Sequence, residues 1–419
     1  MGYEKIETLA YNLHLIKTDK FKSIKLKVNF KTKITKENIT IRNMLVNLLM
    51  ESTKKYPTSR LIEIESENLY NVGFSSGTSC SGNYHIISYN LTFLNEKYTE
   101  PGMNEKSLRF FLNFIFDPNI QDGTFNENAF NISKNILRDD IISYDDSPGR
   151  YSSLKLIEAM CPDSPTSYNS FGYLDVLETI TPSSLYEYYK ETLRKDLIDV
   201  FVIGDIDKNQ IKTLIKDNFN IKTLKKENGS HLLENKKFNS RFKVLKESKP
   251  LEQSTLLLGY KIENMTKKER LYTSYIYSYI LGGGSDSKLF KNVREKNSLC
   301  YSINASIHTL SNLMIIRSGI NADASDKAIK LIKEQVRKMQ KGDFELEEIE
   351  KAKITYLASL KGLEDSPNSI LNMYISKEYL DYDLVEERKN KIKEVTKDDI
   401  INLSKKIHSD TIFILEGSK

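Results

Sequence analysis

At 419 residues the chain is longer than a single hydrophobic core usually grows, so two compact units are expected. Hydrophobic residues make up 39% and charged residues 28%, with 24 Tyr and 18 Phe, a composition that excludes a disordered chain. The net charge is only +5 and the basic residues gather in no long block, which leaves nucleic-acid binding without support.

The β-rich runs IETLAYNLHLIKT (6–18) and SIKLKVNF (23–30) predict opening strands. Between 35 and 52, Ile41, Met44, Leu45, Leu48 and Leu49 recur at helical spacing and mark a helix packed on a core. SRLIEIESENLYNV (59–72) predicts a second helix, and FSSGTSCSG (74–82) and YHIISYNLTF (84–93) read as strands joined by a turn at Gly82 and Asn83. Helical patterns follow from about 105 to 159, broken near 147–150, where Pro148 can open a new helix.

Two later segments repeat one theme. ITPSSLYEYYKETL (180–193) leads into the apolar strand IDVFVIGD, and VTKDDIINLSKKI (395–407) leads into TIFILEG. In each, a threonine, Thr181 or Thr396, is followed by acidic and hydroxyl residues suited to capping an amphipathic helix. The same unit therefore occurs twice, with Thr396 lying 215 residues after Thr181. Between the copies, the lysine-rich, polar stretch KTLKKENGSHLLENKK has linker composition. The expected organisation is an N-terminal domain at 1–221, a linker at 222–238 and a C-terminal domain at 239–419. Clustered strands and helices favour α+β, each half a mainly antiparallel sheet with helices packed on one face.

Cys80, Cys161 and Cys300 are odd in number and widely spaced, which gives neither a disulfide framework nor a paired-cysteine metal site. No stretch approaches the roughly 20 apolar residues that span a bilayer. The start, MGYEKIETLA, lacks a basic head, and Ile6 stands where a myristoylation signal needs Ser or Thr. A soluble cytoplasmic protein with no membrane partner is expected.

RNMLVNLLMESTKKYP (42–57) raises the chemical question. Inverted zinc proteases carry His-x-x-Glu-His on one helical face, two metal ligands and a general base. Here Asn43, Val46 and Asn47 occupy that spacing; asparagine carbonyls are poor zinc ligands, and valine cannot carry a proton. On pattern alone the favoured reading is two surface or capped asparagines on an ordinary amphipathic helix. His14, His85, His231, His308 and His408 form no i, i+4 pair, so no replacement zinc site emerges. Oxygen ligation of Ca²⁺ or Mg²⁺ by Asn43, Asn47, Glu51 and Asp140 carries little weight. Gly282, Gly283 and Gly284 lack the Lys and Ser/Thr of a P-loop and read as a tight turn. Taken singly, Arg294 reads as a helix-end cation and Tyr301 as a half-buried strand aromatic.

The long ordered stretch LGGGSDSKLFKNVREKNSLCYSINASI (281–307) closely resembles the C-terminal-domain signature of the insulinase/pitrilysin superfamily, which includes mitochondrial processing peptidase. MLVNLLMESTKKYP (44–57) resembles that family's zinc helix and the turn after it, and the resemblance extends over essentially the whole chain. NILRDDIISYDDSPGR (135–150) resembles the segment bearing the third ligand, a Glu in the family. Asp140 takes that position, or Asp139 if the register slips by one, at a longer interval from Asn47 than is usual. Within the family the chain is most similar to the motif-lacking bacterial branch whose name records an association with aminopentanol modification of elongation factor P.

The resemblance implies two homologous α+β halves, and two chains or fused copies facing one another around a peptide chamber. It also implies roles for Arg294 and Tyr301, seven residues apart as in the family, where such a pair reaches across the cleft to the substrate carbonyl. A guanidinium can donate twice to peptide carbonyls, and a phenol can donate to a developing oxyanion. The implied function is a catalytically incomplete peptidase subunit with no cofactor of its own, zinc being expected in the partner. That partner would be an intact-motif paralogue in a heterodimer, or a second copy of the chain, and the substrate a peptide. The alternative is a non-catalytic homodimer that captures an extended peptide along a sheet edge, with 74–82 as the candidate strand. Neither a Gly-x-Ser-x-Gly elbow nor a Cys-His constellation supports independent hydrolysis.

Overall fold

The computed structural model describes residues 2–219, 221, 229–233, 242–321 and 324–418. Most of the expected linker, 222–228 and 234–238, lies outside the described residues. In chain order the first elements are β1 (Gly2–Glu7), β2 (Asn12–Lys17), β3 (Ser23–Lys33), α1 (Lys36–Glu51), α2 (Ser59–Asn68), β4 (Gly73–Ser81) and β5 (Tyr84–Leu94). There follow α3 (Met103–Phe116), β6 (Ile120–Gln121), β7 (Thr124–Phe125), α4 (Glu127–Ser143), α5 (Pro148–Met160), α6 (Leu174–Thr179), α7 (Pro182–Lys195), β8 (Leu197–Gly204) and α8 (Lys208–Asn218). The remainder comprises β9 (Lys243–Lys249), β10 (Ser254–Ile262), α9 (Ser274–Gly282), β11 (Cys300–His308), β12 (Leu313–Ile320), α10 (Ser325–Gln340) and α11 (Leu346–Leu360). Last come α12 (Pro367–Leu380), α13 (Val385–Lys393), α14 (Lys397–Lys405) and β13 (Ile407–Gly417).

The chain divides into two units. Unit 1 holds a six-stranded sheet in the order β1-β2-β8-β3-β5-β4, antiparallel except where β2 meets β8. Strand alternation divides β3 cleanly: Ile24, Leu26, Val28 and Phe30 face the helical core, leaving Lys25, Lys27, Asn29 and Lys31 on the other face. Met44, Leu45, Leu48 and Leu49 of α1 complete that core with Phe110, Phe111 and Phe114 of α3.

Unit 2 holds a five-stranded sheet in the order β11-β12-β10-β13-β9, antiparallel except for β13 with β9. The repeat is therefore topological: β4, β5, β3, β8 and β2 correspond to β11, β12, β10, β13 and β9, and the parallel pair falls at the same place. A buried ion pair repeats too. Lys31 Nζ lies 3.0 Å from Asp199, and Lys261 Nζ lies 3.2 Å from Asp410. Lys31 stands opposite Leu197 and Lys261 opposite His408, so each aspartate sits two residues beyond its lysine's cross-strand neighbour. Burial works against the Asp199 charge, yet His14, Lys31 and Asn12 hold its carboxyl well below the usual carboxylate range.

The α+β class and the two halves agree with the sequence, but the units are interleaved. Unit 1 is Met1–Ser143, Asn169–Ser230 and Asp365–Ile375; unit 2 is Tyr144–Tyr168, His231–Glu364 and Ser376–Lys419. The linear division at 222–238 misses this. In unit 2, Leu156 and Met160 of α5 pack on Leu257, Leu313, Ile315, Phe413 and Leu415, the sheet face away from the helical core. In unit 1, Tyr374 of α12 stacks on Tyr3 of β1 at 4.6 Å.

Two local readings also change. The run 6–18 is a hairpin, β1 and β2, turned at Thr8, whose hydroxyl accepts from Tyr11 N at 3.0 Å. The helical stretch after 105 contains the β6–β7 hairpin, turned by Asp122 and Gly123 with φ of 49° and 76°. Among the described residues, no helix is long and apolar enough to cross a membrane.

Candidate functional site

Thr35 opens α1 through a capping box with Asn38: its hydroxyl accepts from Asn38 N at 3.2 Å, and the Asn38 side chain accepts from Thr35 N at 3.0 Å. The helix is thereby fixed before it reaches the positions of a zinc motif. Asn43 is buried, and both ends of its amide are engaged: Nδ2 donates to Ser170 O at 2.8 Å, and Oδ1 accepts from the Thr78 hydroxyl of β4. Val46 is 3% exposed, and its carbonyl accepts from Ser76 Oγ of β4 at 3.3 Å. Asn47 is half-buried.

Asp140 is half-buried and Asp139 exposed on α4, which packs against α1 while burying Phe130, Ser133, Leu137 and Ile141. Among the described residues, no group of three His, Cys, Asp or Glu side chains could hold a metal ion. An amide pair, a valine and a carboxylate do not fit zinc, and Asn43's amide is already committed to the fold.

Sequence reasoning missed the strongest polar cluster beside this helix. Arg42 is fully buried; its Nη1 donates to Asp196 Oδ2 at 2.7 Å, Nε to His85 Nδ1 at 3.0 Å and Nη2 to Phe30 O at 2.8 Å. Because His85 Nδ1 accepts, the ring is the neutral tautomer protonated at Nε2. Burial, reinforced by the Arg42 charge, pushes its pKa down to about 3.

Cys80 of β4 stands directly across the strand pair from His85. The two do not make a nucleophile and base: desolvation pushes the Cys80 thiol up to about 11, and His85 already uses its lone pair on Arg42. The cluster instead ties α1 to β3, β5 and the residue just before β8. Its side-chain partners, His85 and Asp196, lie 43 and 154 residues from Arg42, beyond any local sequence signal.

The other predicted residues lie in unit 2. Gly282 ends α9 against β11, where a Cβ would come within 2.6 Å of Ala305 N; a Cβ on Gly283 would come within 2.6 Å of Tyr279 Cα. Gly284 faces open space, and its carbonyl accepts from Ser287 Oγ at 2.6 Å. The glycine run thus permits close helix–strand packing.

Arg294 follows on a π-helical turn, Phe290–Glu295, a geometry frequent at functional sites. Its guanidinium is exposed and stacks on the Phe290 ring at 4.5 Å. The chain reverses at Ser298, whose φ is 51° and whose N–H donates to Arg294 O at 2.9 Å.

Tyr301 is the second residue of β11, an edge strand, and the extra residue of a β-bulge: Cys300 pairs with Ile320 and Ser302 with Gly319. It is 69% exposed, far from the half-buried aromatic expected of an ordinary strand position. Among the described residues, Arg294 and Tyr301 are thus two free donors carried on one tightly turned segment.

In unit 1, β4 is the corresponding edge strand. Near its start, Met50, Ile62, Phe74, Glu51, Glu63 and Glu67 line an open cleft of about 490 Å³.

Residues 179–356 match the family described as the Peptidase M16 inactive domain, a span that includes the glycine run, Arg294 and Tyr301. The whole chain is 30% identical over 412 residues to the probable inactive metalloprotease YmfF of Bacillus subtilis, covering 97% of this chain and 96% of that one. A conserved protein of Enterococcus faecalis V583 superposes with a TM-score of 0.92 at 27% identity, over 99% of each chain. The peptidase M16 inactive domain protein of Pseudomonas fluorescens has the same fold, with a TM-score of 0.79 at 17% identity over 100% of this chain and 99% of that one.

Proposed function

Because the chain belongs to the insulinase (M16) metallopeptidase family and is a catalytically incomplete member of it, we propose that it serves as the donor subunit of a heterodimeric peptidase. One contrast supports this reading: Asn43 is spent on structural hydrogen bonds, while Arg294 and Tyr301 stand exposed and unspent. In the proposed assembly an intact-motif paralogue supplies zinc and the general base. Arg294 donates to the carbonyls of the bound peptide, and the Tyr301 phenol donates to the oxyanion as it forms. The three cysteines are free, which suits the reducing cytoplasm as the place of action.

The test is co-expression with an intact-motif paralogue, followed by co-purification and a peptide-cleavage assay. Cleavage should appear only in the mixture, and Arg294→Ala should abolish it without dissociating the pair. Cleavage that survives this substitution sinks the reading. A second reading has its own observation: β4 is a sheet-edge strand with exposed positions, open to main-chain pairing by an extended peptide. It predicts a homodimer that binds peptide and never promotes hydrolysis with any paralogue.

A further inference from the structure

The sheet face of unit 1 away from the helical core carries Lys25 and Lys27 on the central strand β3. Both are half-buried, and neither amine has an ion-pair or hydrogen-bond partner among the described residues. Burial lowers the pKa of both, and the Lys25 charge adds to the effect at Lys27. The aspartate on this face of β8, Asp199, is already held by Asn12, His14 and Lys31.

On the β8 side Lys25 and Lys27 stand opposite Ile203 and Phe201, both fully buried, while on the β5 side the neighbours are hydrogen-bonding groups. Lys27 stands opposite Asn90 of β5 and Lys25 opposite Thr92. Asn90 in turn faces Ser75 of β4, to which its amide donates at 3.5 Å. Beyond it, a Cβ on Gly77 would meet open space.

Unit 2 shows what this face becomes when it is closed. With Lys31 matched to Lys261, Lys27 corresponds to Leu257, and Ser88 to Ile315. Leu257 and Ile315 are buried beneath Leu156 and Met160 of α5. The same position is thus apolar and covered in one copy, cationic and half-buried in the other.

We propose that this face of unit 1 binds the carboxylates of an extended acidic peptide through Lys25 and Lys27, with Asn90 and Thr92 as flanking donors. The spacing favours that ligand: residues i and i+2 of a strand lie about 7 Å apart on one face, so acidic residues at alternate positions of an extended peptide match the two lysines. The inference rests on the reading that the chain holds peptide, and names the peptide's chemical class.

The experiment is fluorescence anisotropy with the full chain and three labelled peptides of alternating Glu-Ser, Gln-Ser and Lys-Ser. The Glu peptide should bind about tenfold or more tightly than the other two, and should weaken as salt is raised. The Lys25→Gln/Lys27→Gln variant should lose about tenfold in affinity for the Glu peptide, while Lys25→Arg/Lys27→Arg should stay within about threefold of the parent. Thermal melts of both variants accompany the titrations. Equal binding of the three peptides overturns the charge inference while leaving peptide binding intact; no binding of any peptide ends both. Undiminished Glu-peptide binding by the folded glutamine variant places the ligand elsewhere and refutes the assignment.

Discussion

Arg42→Met removes a buried cation while roughly preserving side-chain length. Asp196 loses its guanidinium partner, His85 Nδ1 loses its donor, and Phe30 O loses the Nη2 donor. Breaking a buried ion pair from one side costs about 3–5 kcal/mol, because a charge remains that was taken out of water. For a folding unit of this size, that corresponds to a fall of roughly 6–20 °C in the melting transition. The assay is thermal and urea unfolding followed by circular dichroism, with Arg42→Met, Asp196→Leu and the double variant completing a cycle. Removing both partners leaves no orphaned charge, so the double variant should be more stable than Arg42→Met alone. A single variant within about 1 kcal/mol of the parent, or a double variant showing no coupling, would refute the placement of this pair as the clamp on α1.

Three further outcomes follow from the same geometry. Gly282→Ala should cost about 1–3 kcal/mol, since its Cβ would collide with the Ala305 backbone, while Gly284→Ala should be nearly neutral. Urea unfolding compares the two, and equal costs would contradict the packing role. His85 has a folded pKa of about 3 against about 6.5 unfolded, so between those values the unfolded state binds more protons and stability falls as pH drops. By pH 4.5 the loss attributable to His85 is about 2–3 kcal/mol, and His85→Gln, which can still accept from Arg42, should flatten that part of the stability profile. Tyr301→Phe should leave stability within about 0.5 kcal/mol because the side chain is exposed. In the proposed heterodimer it should slow hydrolysis roughly hundredfold to thousandfold, read from kcat with the complex intact.

The parts of the fold that depend on local chemistry were legible in the sequence. The α1 stripe appears intact in the core, and Thr181 and Thr396 both form capping boxes, with Ser184 and Asp399. The β6–β7 hairpin carried a signal of its own: Asp-Gly with both residues at positive φ is the type I′ turn of a two-residue hairpin. The turn between β1 and β2 did not, because Thr8 to Tyr11 contains no Gly, Pro, Asn or Asp, and its apolar residues read as continuous strand. The assignment of α5 to unit 2 was also invisible. Periodicity says which face of a helix is apolar; it does not say which sheet will cover it. The site divides in the same way. Residue types at Asn43, Val46 and Asn47 speak for themselves, whereas the exposure of Tyr301 depends on a bulge whose register is set by β12.

Restoring the zinc motif by Asn43→His, Val46→Glu and Asn47→His asks whether the missing ligands alone separate this helix from a zinc helix. If they did, the triple variant would fold as well as the parent and recover a site. The packing argues otherwise. Val46 is nearly fully buried, so a glutamate there must desolvate or take up a proton. Asn43 Nδ2 satisfies Ser170 O, and Oδ1 takes the Thr78 hydroxyl; one imidazole that must also leave a lone pair for metal cannot reproduce both bonds. In the presence of a chelator the triple variant should lose roughly 2–5 kcal/mol by urea unfolding. A variant as stable as the parent under chelation would mean that the surroundings of α1 still tolerate a zinc motif. A large loss would mean that β4 and the Ser170 loop have adapted to the amide, so that the departure from zinc chemistry is built into the packing as well as the sequence.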